Sequence, residues 1–135
     1  MVLSVLIKYP YLTKESSKVF FEKKDQELTN LDWAKWAGWF DTDGCFSKVL
    51  NRKWWVKRVI LSLKDRQPVE LFSKTFEASL TYRTCKTITP EPYRYEYMAK
   101  IHKANLSGEK AVWFTKNVYP YLIKQEKKDY AVKLL

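Results

Sequence analysis

Trp36-Ala37-Gly38-Trp39-Phe40-Asp41-Thr42-Asp43-Gly44 is the stretch from which the rest of the chain can be read. It closes a predicted helix, LDWAKWAGWFDTD, for which Thr29 or Asn30 is a good N-cap. Asp32 lies in the helix's first turn, where negative charge is favoured. Gly44 is a natural C′ stop. Two features are not explained by helix stability. Asp41 and Asp43 sit in the last turn, where the helix dipole disfavours each charge by about 0.3–1 kcal/mol. A bound hard cation would explain them, because such ions take carboxylate and carbonyl oxygens. Gly38 in mid-helix loses about 1 kcal/mol against Ala, whereas the small pair Ala37-Gly38 lets a second helix approach closely. The plain alternative is a helix that frays into an Asp-rich turn.

Working outward, CFSKVLNR reads as a strand, Asn51–Lys53 as a turn and WWVKRVILSLK as a longer strand. Asp65 then caps a helix with Pro68 in its first turn and an apolar stripe of Val69, Leu71, Phe72 and Phe76. ASLTYRTCKTI is a third strand, followed by a turn at Thr89-Pro90-Glu91-Pro92. The fourth strand alternates: Tyr93, Tyr95, Tyr97, Ala99 and Ile101 share one face, and Arg94, Glu96, Lys100 and His102 the other. After Ser107-Gly108 comes a helix that Tyr119-Pro120 breaks, and a basic helix, IKQEKKDYAVKLL, follows. This order predicts an α+β fold, an αββαββα unit with a four-stranded antiparallel sheet, helices on one face and the other face uncovered.

The chain has 135 residues, 25 Lys+Arg against 15 Asp+Glu, and a net charge of +10. That length fits one domain, and 46% apolar residues can fill its core. Only 3 Gly and 5 Pro exclude collagen-like and low-complexity classes. No stretch nears the roughly 20 apolar residues of a membrane span, and the first residues make a poor signal peptide. Cys45 and Cys85 are too few for a disulfide framework or a cysteine-based zinc site, so a reducing, intracellular setting is expected. Between Phe46 and Lys64 there are six basic residues and no acidic one, interleaved with Trp54, Trp55 and β-branched residues. A charge run of this kind is usually a solvated face, but a cationic two-stranded ribbon also fits a DNA major groove.

WAGWFDTDGCF resembles the motif of the LAGLIDADG homing endonucleases: Ala37, Gly38, Asp41, Asp43 and Gly44 match position for position, with Trp36, Trp39, Phe40 and Thr42 replacing apolar or small residues. SLKDRQPVELFSKTF and VYPYLIKQEKK resemble downstream landmarks of that family, so the likeness covers about residues 30–135. The resemblance implies that the motif helices of two units pack through Ala37 and Gly38. It implies that Asp43 binds a metal, Mg²⁺, with the Thr42 carbonyl nearby, while Asp41 and Gly44 are structural. It also implies a basic residue near the scissile phosphate, for which Lys103 and Lys110 are both candidates. The sheet would lie on double-stranded DNA. Ser47 and Asn51 are candidates to read it from the first strand, and Arg52, Lys53, Lys57 and Arg58 from the hairpin. Arg83, Lys86, Arg94, Glu96, Lys100 and His102 are candidates on the later strands.

One motif per chain implies one active-site carboxylate, so cutting both strands of a long pseudo-palindromic site calls for a homodimer or a second chain of the same type. Residues 1–28 are an extension before a domain at 29–135. Within it Tyr9-Pro10-Tyr11-Leu12-Thr13-Lys14 echoes Tyr119-Pro120-Tyr121-Leu122-Ile123-Lys124, either as the tail of a preceding unit or by chance in a Tyr- and Lys-rich chain. The leading expectation is a site-specific, metal-dependent DNA endonuclease. The alternative is a non-cleaving RNA-binding protein such as an intron-splicing maturase, since +10 suits folded RNA equally. An organelle and a prokaryotic or phage cytoplasm are both open as settings.

Overall fold

The motif helix is built where the sequence places it. In a computed structural model, which describes residues 15–92 and 94–135, a helix runs over Asn30–Thr42. Thr29 caps it reciprocally with Asp32: the Thr29 side chain accepts from the Asp32 N–H, and the Asp32 carboxylate accepts from the Thr29 N–H at 2.9 Å. That backbone hydrogen bond, with the Thr29 hydroxyl second, holds the exposed Asp32 carboxyl below its ordinary pKa.

The elements in chain order are α1 (Glu15–Glu27), α2 (Asn30–Thr42), β1 (Gly44–Asn51), β2 (Trp54–Leu63), α3 (Arg66–Phe76), β3 (Ser79–Ile88), β4 (Glu96–Ser107), α4 (Glu109–Val118), a 3₁₀ turn (Tyr119–Tyr121) and α5 (Gln125–Val132). The strands form one antiparallel sheet in the order β1-β2-β4-β3, the α+β arrangement expected from the sequence. β4 begins later than its alternation predicts and runs further. Thr89 exchanges bonds with Tyr95, donating its N–H to the Tyr95 carbonyl and accepting the Tyr95 N–H on its hydroxyl, so pairing starts at Ile88 and Glu96.

Contacts divide the chain into two units. One contains residues up to Val59 together with Ser107–Leu135, and the other is Ile60–Leu106. The first has an aromatic core. Phe114 meets Phe40 at 4.9 Å between ring centroids, Trp113 meets Trp33 at 5.3 Å, and Phe46 reaches Phe40 at 5.5 Å. Such pairs add roughly 0.5–1.5 kcal/mol each beyond the area they bury. The segment before residue 29 contributes to this core. α1 belongs to this core: Phe21 has no exposed surface and packs on Trp113 at 4.9 Å. Residues 1–14, with the echoed Tyr-Pro-Tyr segment, lie outside the described residues. Gly108 opens α4 at φ +69, a left-handed conformation suited to glycine, and donates its N–H to the Lys57 carbonyl at 3.0 Å.

The second unit is smaller. α3 buries Val69, Phe72 and Phe76 and packs on β3. Asp65 caps it by accepting from the Gln67 N–H at 3.2 Å. Ala104 and Leu106 complete this core from β4, while most of β3 stays exposed.

Candidate functional site

The two motif aspartates have opposite environments. Asp41 is 7% exposed, and its carboxylate accepts the Ile123 N–H at 3.0 Å and the Lys124 N–H at 3.1 Å. Lys124 is the N-cap of α5 and offers no side-chain cap of its own. Asp41 instead accepts from the N–H groups of the cap residue and the residue before it, close to a helix N-terminus where negative charge is favoured. Asp43 is exposed and forms the C-cap of α2, donating its N–H to the Trp39 carbonyl at 2.9 Å. The Thr42 hydroxyl lies 3.1 Å from an Asp43 carboxylate oxygen, 3.1 Å from the Trp39 carbonyl and 3.3 Å from the Gly38 carbonyl. Its single proton serves one of these at a time. The end of α2 is thus rich in oxygen acceptors and opens to solvent at Asp43.

Gly44 is required for a reason other than the expected left-handed helix stop. It starts β1 without positive φ, and a Cβ there would run into the Phe40 ring and come within 2.6 Å of the Phe40 Cα. The two small residues of the motif also part company. Ala37 has no exposed surface and belongs to this chain's own core, which corrects its expected place at a helix–helix seam. Gly38 is exposed, with nothing within 4 Å of where a Cβ would stand. It shares the outer side of α2 with Leu31, which is 80% exposed.

The basic residues divide by strand face. On β1, Ser47 and Asn51 lie opposite the buried Phe46. On β2, Lys57 shares the inward parity of buried Val59, whereas Arg58 lies on the other face. Arg52 and Lys53 form the two-residue turn between these strands, with Arg52 at φ +58.

In the other unit the candidate residues of β3 and β4 lie on both faces. Ala104 and Leu106 are the buried residues of β4, so the even positions face inward. Pairing of Lys100 with Thr84, His102 with Tyr82, and Glu96 with Ile88 puts Lys86, Glu96, Lys100 and His102 on that inward parity. Arg83 pairs with Ile101 on the opposite face. There, with Ser62, Thr81 and Lys103, it lines a depression of about 300 Å³. Glu96, Lys100 and His102 share one face, as their alternation predicts, and that face has the parity of the buried Ala104 and Leu106. Tyr97 and Ile101 occupy the open face although they are apolar, and Lys64 caps Tyr97 with a 3.3 Å hydrogen bond to its hydroxyl. Lys86 pairs with Glu96 at 2.9 Å and Arg94 with Glu91 at 3.8 Å. Lys100 sits 5.2 Å over the Tyr82 ring, and His102 lies 6.3 Å from that ring.

Of the two lysine candidates, Lys103 is exposed, and Lys110 lies 4.4 Å over the Phe20 ring of α1. A third lysine escaped the sequence reading. Lys127 donates to the Gly44 carbonyl at 2.6 Å, beside the motif end, and lines a cavity of about 450 Å³ with Lys48 and Lys133. No local pattern could have found it, since its partner lies 83 positions away. Among the described residues, no group of three or more His, Cys, Asp or Glu gathers as a metal site.

No protein-family model matches the chain, and no curated protein sequence matches it. Among solved structures it is similar to the crystal structure of the LAGLIDADG meganuclease I-AabMI bound to uncleaved DNA, with a TM-score of 0.47 and 15% identity. The likeness covers 76% of this chain and 34% of that one, so the chain spans about a third of that protein's length.

Proposed function

We propose that the chain is one half of a metal-dependent endonuclease that cuts duplex DNA at a long pseudo-palindromic site. The observation that carries this reading is the contrast within the motif: Asp41 is buried and satisfied by backbone N–H groups, while Asp43 stands exposed at an oxygen-rich helix end. An exposed carboxylate at the negative end of a helix is offset by a cation. One chain supplies part of the donor set for a hard divalent ion, the Asp43 carboxylate and the Thr42 carbonyl, and DNA phosphates with a second Asp43 would complete it. When bound, Mg²⁺ would provide a Lewis acid and an activated water at the phosphodiester. The exposed side of α2 at Leu31 and Gly38 is the surface offered to a second copy. Arg52 and Lys53 hold phosphates, Arg58 and Arg83 approach the groove, and Lys103 is better placed than Lys110 to neutralise a phosphate because Lys110 is occupied by Phe20.

A library of candidate duplex sites tests this directly. With Mg²⁺, one site should be cut on both strands and chelation should stop the reaction. Asp43→Asn should slow cleavage by at least about 10²-fold, the scale of losing one electrostatic group, with binding retained. Tight, salt-sensitive binding with no cut site in any Mg²⁺ or Mn²⁺ reaction would reject the nuclease. A second reading, a non-cleaving RNA-binding factor, is favoured by the exposure of Trp54 and Trp55 on the basic hairpin. Affinity for structured RNA above that for duplex DNA at equal salt would select it.

A further inference from the structure

Trp55 is large, apolar and 61% exposed, and it lies on the opposite strand face from Arg58, away from the surface proposed to read a groove. It walls a cavity of about 450 Å³ with Lys57 from β2 and Glu109, Val112 and Lys116 from α4. The Lys48 ammonium lies 5.3 Å over the indole. An indole left in water is unfavourable, and the surrounding hairpin has no acidic residue from Phe46 to Lys64. A flat aromatic wall, an aliphatic contact at Val112 and flanking ammonium groups suit one planar base with a phosphate on either side. The cavity has the volume of an ordinary small-ligand pocket. A base within a duplex is already stacked and paired, and cannot enter.

We propose that this cavity binds an unpaired nucleobase of a polynucleotide, stacked on Trp55. The proposal rests on the nucleic-acid-binding part of the reading above and is independent of cleavage. Its chemistry is shared by an RNA loop and by a bulged or frayed DNA strand.

The test is fluorescence anisotropy of the full chain at one salt concentration. The probes are a perfect DNA duplex, the same duplex with a single-nucleotide bulge, and a hairpin loop made as DNA and as RNA. Trp55→Ala should weaken bulge and loop binding about 5- to 100-fold, the range of one aromatic–base stack, and duplex binding less than about twofold. Trp55→Phe should recover most of the loss. The tighter of the two wild-type loop complexes identifies the natural strand. Equal loss on paired and unpaired probes, or no loss, overturns the proposal while leaving duplex recognition standing. The same selective loss in Trp54→Ala, on the opposite strand face, also overturns it. If no probe binds the wild-type chain, the nucleic-acid reading falls with it.

Discussion

The aromatic core around α2 and α4 and the ribbon of β3 and β4 are built on opposite principles. In the core, Phe40, Trp113 and Phe114 have no exposed surface and contact one another or Trp33 ring to ring. In the ribbon, no residue from Ser79 to Ile88 is buried, and Tyr82 and Met98 are more than 60% exposed. The core packs the inner side of α2 through Trp33 and Phe40, on the helix that carries Asp41 and precedes Asp43. The ribbon is held by the β3–β4 ladder, by α3 against β3 and by the buried Ala104 and Leu106, and it leaves most of its other side chains exposed or half-buried. Precision and display are therefore separated along the chain.

Core truncation should have the largest effect. Trp113→Ala removes the ring that Phe21, Trp33 and Phe20 all pack against. A loss of about 3–5 kcal/mol is expected, a large part of a small domain's stability. Urea denaturation would measure it, and a loss below about 1 kcal/mol would refute the primacy of this core. Next come the two motif glycines, which sharpen the contrast at single-residue scale. Gly44→Ala should cost about 1–3 kcal/mol, because the Phe40 backbone cannot retreat as a side chain can. Gly38→Ala should leave a single chain as stable or up to about 1 kcal/mol more so, since the new methyl meets open space on a helix. Thermal melts of both variants at low concentration check the sign. The smallest effect is expected in the ribbon: Tyr82→Ala should change stability by no more than about 0.5 kcal/mol. A shift as large as that of Gly44→Ala would show that the ribbon is packed after all.

Most of the element order was legible because capping and period are local. Thr29, Asp65 and Gly108 marked helix starts, and the pairs of strands followed from composition. The correct split of β4 into two sets of alternate residues was also visible. Its orientation was not, because Tyr97, Ala99 and Ile101 look like a core face, and the residues that settle the matter, Ala104 and Leu106, lie beyond the predicted strand end. α1 was missed because its polar majority hides the one side chain, Phe21, that anchors it. The special character of Asp41 and Asp43 could be suspected from their place in a helix's last turn. Which one was structural depended, like Lys127 on Gly44, on partners some eighty residues away.

The bonds from Asp41 to Ile123 and Lys124 also set an order of events during synthesis. Their donors are translated 82 and 83 positions after the acceptor. Until those residues emerge, a nascent chain carrying α2 would bury a carboxylate with nothing to donate to it, which is costly enough to keep that last turn in water. The motif is therefore an early segment whose final shape is a late product. In a growing chain the donors that bury Asp41 arrive only after the whole of α2 has been made.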